Sequence, residues 1–139
     1  MITLGHVNIR TARLEETCSF YERLLGFRRG VAATNPDPER NIWLHDALGN
    51  PSVHINVFRP GEEAAPGERS CLDHIAFNCP DRTAMAALLE REGMTFTVVE
   101  TRVPGLIQFN LRDPNGVRVE LTFGHERVQG VAAPPSTMA

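Results

Sequence analysis

Apolar and polar residues alternate over four short stretches of the chain: LGHVNIR around His6, SVHINVF around His54, LDHIAFN around His74 and GVRVELTF around Glu120. Successive side chains of a strand point to opposite faces of a sheet, so alternation of this length predicts strands with one polar and one apolar face. The apolar face carries Val7 and Ile9, then Val53, Ile55 and Val57, then Ile75 and Phe77, then Val117, Val119, Leu121 and Phe123. On the polar face lie His6, Asn8 and Arg10, then Ser52, His54 and Asn56, then His74 and Asn78, then Arg118, Glu120 and Thr122. Apolar spacing changes to the helical period at Leu14, Cys18, Tyr21, Leu24 and Leu25, which predicts a helix over 13–25 ended by Gly26. Met85, Leu88 and Leu89 predict a second helix over 81–92, closed by Gly93.

The full set of expected strands is 2–10, 27–33, 41–45 and 52–58, followed by 71–78, 95–100, 106–111 and 117–123. The last two are joined by RDPNG, where Pro114, Asn115 and Gly116 suit a tight reversal. The order is therefore strand, helix and three strands, twice. His54 follows His6 by 48 positions and Glu120 follows His74 by 46, so the potential ligands repeat almost in register. We expect an α+β fold of two tandem βαβββ units, 1–60 and 71–126, forming a curved mixed sheet cup with helices on its outer face. RPGEEAAPGERS, rich in Pro, Gly and charge, supplies the connector at 61–70, and 127–139 is expected to be a flexible tail. Curled around its polar side, such a sheet would gather three His and one Glu near one centre. Donors of that kind suit a divalent metal.

Composition narrows the function further. At 139 residues the chain is long enough to bury a core without disulfides, and a formal net charge of −3 with no basic stripe argues against nucleic acid as a partner. No apolar run is long enough to cross a bilayer, and Met1–Arg10 lacks the pattern of a signal peptide, so a cytoplasmic protein without membrane partners is expected. Cys18, Cys71 and Cys79 are odd in number and form no CxxC, which suits a reducing compartment and plain packing roles.

The segments HVNIRTARLEETCSFYERLLGFRRG, LDHIAFNCPD and LRDPNGVRVELTF together resemble the vicinal oxygen chelate superfamily. That family includes glyoxalase I, fosfomycin-resistance proteins, extradiol dioxygenases, methylmalonyl-CoA epimerase and bleomycin-resistance proteins. The resemblance covers residues 2–124 and implies paired βαβββ units, with His6, His74 and Glu120 on metal-ligand positions. It also implies a small-molecule substrate and a homodimer. Two imidazoles and one carboxylate bind Fe, Mn, Ni or Zn while leaving coordination positions open for two neighbouring substrate oxygens.

His54 departs from the glyoxalase I pattern, where the resemblance leads one to expect Glu. It either ligates metal or serves as an acid or base, and together with Glu120 it is the candidate catalytic residue. Asn8, Arg10, Asn56, Gln108 and Arg118 are candidate substrate-binding residues, with Asn78 and Thr122 as further lining. Trp43 and Phe58 offer an apolar wall or core packing, and surface roles are expected for His45 and His125. Three functions follow. The first is a metal-dependent lyase, isomerase or related enzyme using bidentate chelation, and the second an extradiol-type ring-cleaving dioxygenase. The third is a metal-free small-molecule binding protein of the bleomycin-resistance kind.

Overall fold

Alternating Val, Ile and aromatic positions do form strands in the computed structural model, which describes residues 4–32, 36–61 and 74–125. The elements are β1 (Val7–Thr11), α1 (Leu14–Leu25), β2 (Arg28–Val31), β3 (Asn41–His45) and β4 (Pro51–Val57), then β5 (His74–Asn78), α2 (Arg82–Arg91), β6 (Thr97–Glu100), β7 (Ile107–Arg112) and β8 (Arg118–Phe123). They make two four-stranded mixed sheets, β1-β4-β3-β2 and β5-β8-β7-β6. In each, the strand before the helix lies parallel to the last strand of the unit and the other pairs are antiparallel. The expected α+β fold of two βαβββ units is therefore present.

Most signals act where the sequence puts them. Gly26 caps α1 in the left-handed conformation at φ 69°, and its N–H reaches the Glu22 carbonyl at 3.0 Å. Asp81 caps α2 by accepting from the Ala84 N–H at 3.0 Å. Gly116, at φ 81°, closes the turn between β7 and β8 by donating to the Asp113 carbonyl at 3.0 Å.

Several boundaries differ from expectation, most by a single residue. β1 starts at Val7, so His6 precedes the ladder by one residue and is exposed, beside a glycine that weakens strand structure. β2 and β6 are shorter than expected because both are sheet edges, where pairing comes from one side only. Phe27, expected in a strand, is buried and its N–H donates to the Tyr21 carbonyl at 3.3 Å, completing the helix end. The tail 127–139, Cys71 and nearly all of the connector 61–70 lie outside the described residues.

The chain divides into two compact units, one within Met1–Leu72 together with Asp113–Gly116, the other within Asp73–Arg112 and Val117–Ala139. The first buries Ile9, Cys18, Phe20, Tyr21, Leu24, Leu44, Val53 and Ile55; the second buries Ile75, Leu89, Phe109, Leu111, Val119, Leu121 and Phe123. At ~25 cal/mol per Å² of apolar surface removed from water, these faces hold each sheet to its helix and leave the other face for polar residues. The first unit also contains a polar knot that alternation does not reveal. Asn115 Nδ2 donates to Thr17 Oγ1 at 2.9 Å, Thr11 Oγ1 bonds Asn115, and the Arg13 N–H donates to Thr11 Oγ1 at 2.8 Å.

Pairing registers show the duplication residue by residue. In the first sheet Val7 faces Val53 and Asn8 faces His54; in the second Ile75 faces Val119 and Ala76 faces Glu120. His6 and His74 are thus equivalent, as are His54 and Glu120. On the adjacent strand Trp43 faces His54 and Asn110 faces Glu120, while Asn41 faces Asn56 and Gln108 faces Thr122.

Candidate functional site

In the first unit, neighbouring strands bring His54 and Trp43 side by side, since cross-strand partners share a face. Their ring centroids are 5.1 Å apart; His6 lies 4.7 Å from Trp43 and 6.1 Å from His54. The structure therefore groups His6 with His54, and the indole of Trp43 contacts both imidazoles. His54 Nε2–H donates to Asn41 Oδ1, and Asn8 Nδ2 donates to the His54 carbonyl at 3.2 Å. Burial lowers the pKa of His54 below its usual 6.5, and the nearby His6 lowers it further, so the neutral ring is favoured.

Two polar atoms on this face, Trp43 Nε1 and Asn56 Oδ1, are buried and have no hydrogen-bond partner among the described residues. Buried polar groups are normally paired, so both mark places where a ligand group would restore a lost bond. Asn56 was a candidate for substrate contact; the unpaired Trp43 N–H was not legible, because alternation gives a face and not an environment. Arg10 is exposed at the other end of β1.

In the second unit, His74 and Arg118 are direct ladder partners, and Arg118 Nη2 lies 3.0 Å from His74 Nδ1. A guanidinium only donates, so Nδ1 accepts and Nε2 carries the proton of the neutral ring. Arg118, a candidate for substrate contact, thus also engages an imidazole. Glu120 is half-buried and receives a bond from Thr122 Oγ1 at 3.3 Å. Ala76, opposite Glu120, leaves the carboxyl uncovered by a long side chain, and Asn110 Oδ1, on the other flank, is buried without a partner among the described residues. Gln108 is half-buried opposite Thr122, and Asn78 is exposed.

By kind, these donors suit a divalent cation: imidazole nitrogens, one of them favoured neutral, and a carboxyl oxygen with a single weak bond. His74 is the partial exception. Metal on its Nε2 requires the proton on Nδ1, where Arg118 now donates. Among the described residues, no group of three or more His, Cys, Asp or Glu side chains is arranged to hold a metal ion.

His45 and His125, expected at the surface, are both half-buried. The His45 ring packs over Gly30, where a Cβ would collide with it, so this histidine fills the space that glycine leaves. A cleft of about 410 Å³ opens elsewhere in the second unit, lined by Arg82, Glu100, Thr101, Pro104, Ile107 and Phe123. It includes none of His74, Arg118 and Glu120.

Solved structures share this architecture. A glyoxalase family protein from Bacillus anthracis is 22% identical, with a TM-score of 0.69 over 88% of this chain and 95% of the other. The fosfomycin resistance protein FosX from Listeria monocytogenes is 18% identical, with a TM-score of 0.68 over 93% and 98%. Lactoylglutathione lyase from Agrobacterium tumefaciens is 16% identical, with a TM-score of 0.63 over 92% and 96%. At such identities the likeness is one of fold. Comparison with curated proteins gave no match. The family model for the glyoxalase, bleomycin resistance protein and dioxygenase superfamily matches residues 3–121, and the chain belongs to that superfamily.

Proposed function

We propose that this chain is a metal-dependent enzyme acting on a small molecule with oxygens on neighbouring atoms, and that His6, His74 and Glu120 are the metal ligands. The observation that carries the reading is the ladder register, which gives His6 and His74 one equivalent position and His54 and Glu120 another. When bound, a divalent cation of the Fe, Mn, Ni or Zn kind supplies Lewis acidity toward substrate oxygens. The chain's own groups do the rest: neutral His54 accepts or returns a proton, and Trp43 Nε1–H and Asn56 meet polar groups of the substrate. Asn8, Arg10, Gln108 and Arg118 are the remaining candidates for substrate contact. The same ligand set would serve lyase, isomerase or dioxygenase chemistry.

A second reading is favoured by one observation. Arg118 occupies His74 Nδ1, an arrangement that suits a metal-free binding protein. Elemental analysis of protein purified without chelators separates the two. The enzyme reading requires close to one divalent ion per chain, lost in His74→Ala and Glu120→Ala; equally negligible metal in all three proteins overturns it.

We further propose a cytoplasmic homodimer. Cys18 and Cys79 are buried free thiols, in keeping with a reducing compartment, and no helix among the described residues is long and apolar enough to cross a membrane. A monomer by light scattering at micromolar concentration would contradict the dimer.

A further inference from the structure

The internal repeat allows one half of the fold to serve as a control for the other. His54 and Glu120 hold equivalent places, as do Asn41 and Gln108 on the neighbouring strands. In the second unit Glu120 takes its hydrogen bond from Thr122 on its own strand. In the first, the equivalent side chain is bonded by the residue at the Gln108-equivalent place: His54 Nε2–H donates to Asn41 Oδ1.

Asn41 is only 6% exposed, so its amide oxygen must find a donor inside the protein or lose a hydrogen bond outright. An amide oxygen only accepts. The proton must therefore sit on Nε2, which leaves Nδ1 as the lone-pair nitrogen of the neutral ring. No described residue hydrogen-bonds to that nitrogen. Asn41 is in turn fixed from its main chain, since its N–H donates to the Asp37 carbonyl at 3.0 Å at the entry to β3. Trp43, two residues further on, packs its indole against the His54 ring and resists rotation about χ2.

From this we infer that Asn41 is a positioning residue that locks His54 in the Nε2–H tautomer. The lock removes Nε2 from any metal-ligand set and turns His54 into a one-sided base working through Nδ1. The open lone pair lies in the same polar face as the unpaired Trp43 N–H and Asn56 oxygen. A substrate hydroxyl complements that set, because its hydrogen can go to Nδ1 while its oxygen accepts from an N–H donor. Among the described residues no amide holds Glu120, whose carboxyl takes only the bond from Thr122. The inference holds whether or not a cation binds.

Ring ¹⁵N spectroscopy of the full chain tests it, with His54 assigned by loss of its signals in His54→Gln and the measurement made at about pH 8, where the ring is neutral. Wild type should show a protonated Nε2, a bare Nδ1 and a slowly exchanging ring proton. In Asn41→Ala that proton should exchange about tenfold faster, the loss of one neutral hydrogen bond, whereas Asn41→Asp, which keeps an acceptor, should restore protection. Added Zn(II) should leave the His54 Nε2–H signal in place. A protonated Nδ1 in wild type, unchanged protection in Asn41→Ala, or disappearance of the Nε2–H signal with Zn(II) would each overturn the inference. Failure of Zn(II) to bind at all counts against the metal proposal and leaves the tautomer result standing.

Discussion

Tyr21 donates its hydroxyl to Asp113 Oδ2 at 3.1 Å across 92 positions of sequence, and both residues belong to the first unit. Tyr21 is fully buried and Asp113 is 5% exposed. Burial, reinforced by the neighbouring Asp113, pushes the phenol far above its usual range, so it stays a neutral donor. Asp113 also accepts from the Asn115 N–H at 2.8 Å, which ties the turn after β7 to helix α1.

Removing that hydroxyl leaves a buried carboxyl short of a donor. Tyr21→Phe should therefore lower stability by about 1.5–3 kcal/mol, read as a lower urea midpoint at unchanged slope. A midpoint equal to wild type would show that the bond contributes nothing net.

How much of this was legible beforehand can be judged from particular residues. β3 was expected and found at 41–45, and the helix-ending Gly26 and the turn at Gly116 act as their chemistry requires. These signals are local, lying within a few residues of the structure they set. The polar face and its histidines were equally legible, since alternation is local too. The partner of each polar atom was not. Asn41 reaches His54 only because β3 and β4 pair antiparallel in one register, and Tyr21 reads as plain core until Asp113 is placed beside it. The contact of Arg118 with His74 likewise follows only once the ladder sets the two opposite each other.

The exposed side of α1 makes a second, weaker link. Arg29 grips Glu15 with two bonds of 2.8 and 2.6 Å and Glu22 with one of 2.8 Å, fastening β2 to the helix. Hydrogen bonding from Arg29 lowers the pKa of Glu15 below 4.5. A lowered carboxyl pKa adds stability that is present above the unfolded value and lost as pH falls through the folded one. Glu15 is mostly exposed, so the effect is small: Arg29→Ala should cost at most ~1 kcal/mol at neutral pH, and less in high salt. Thermal melts should bring variant and wild type together only as the pH falls below 4.5 and Glu15 takes up its proton. A gap that widens in acid would contradict the assignment.

Burial also sets thiol chemistry. Cys18 and Cys79 are each pushed up to about 11 by desolvation, so few thiolates exist near neutrality. Peptide mapping after brief alkylation at about pH 8 should find both unmodified in native protein and both modified in urea. Rapid labelling of either in the native state would mean that the core opens there.

Trp43 is the sole tryptophan of the chain, and its ring centroid lies 4.7 Å from that of His6. An open-shell ion on His6 therefore falls within contact quenching range of the only indole. Titrating the chelator-treated protein with Ni(II) while following tryptophan emission reads occupancy of the proposed ligand set directly. The account predicts saturable quenching that ends near one equivalent per chain and is abolished by His6→Ala, His74→Ala and Glu120→Ala. Emission that ignores Ni(II), or quenching that survives loss of His74 and Glu120, would contradict it.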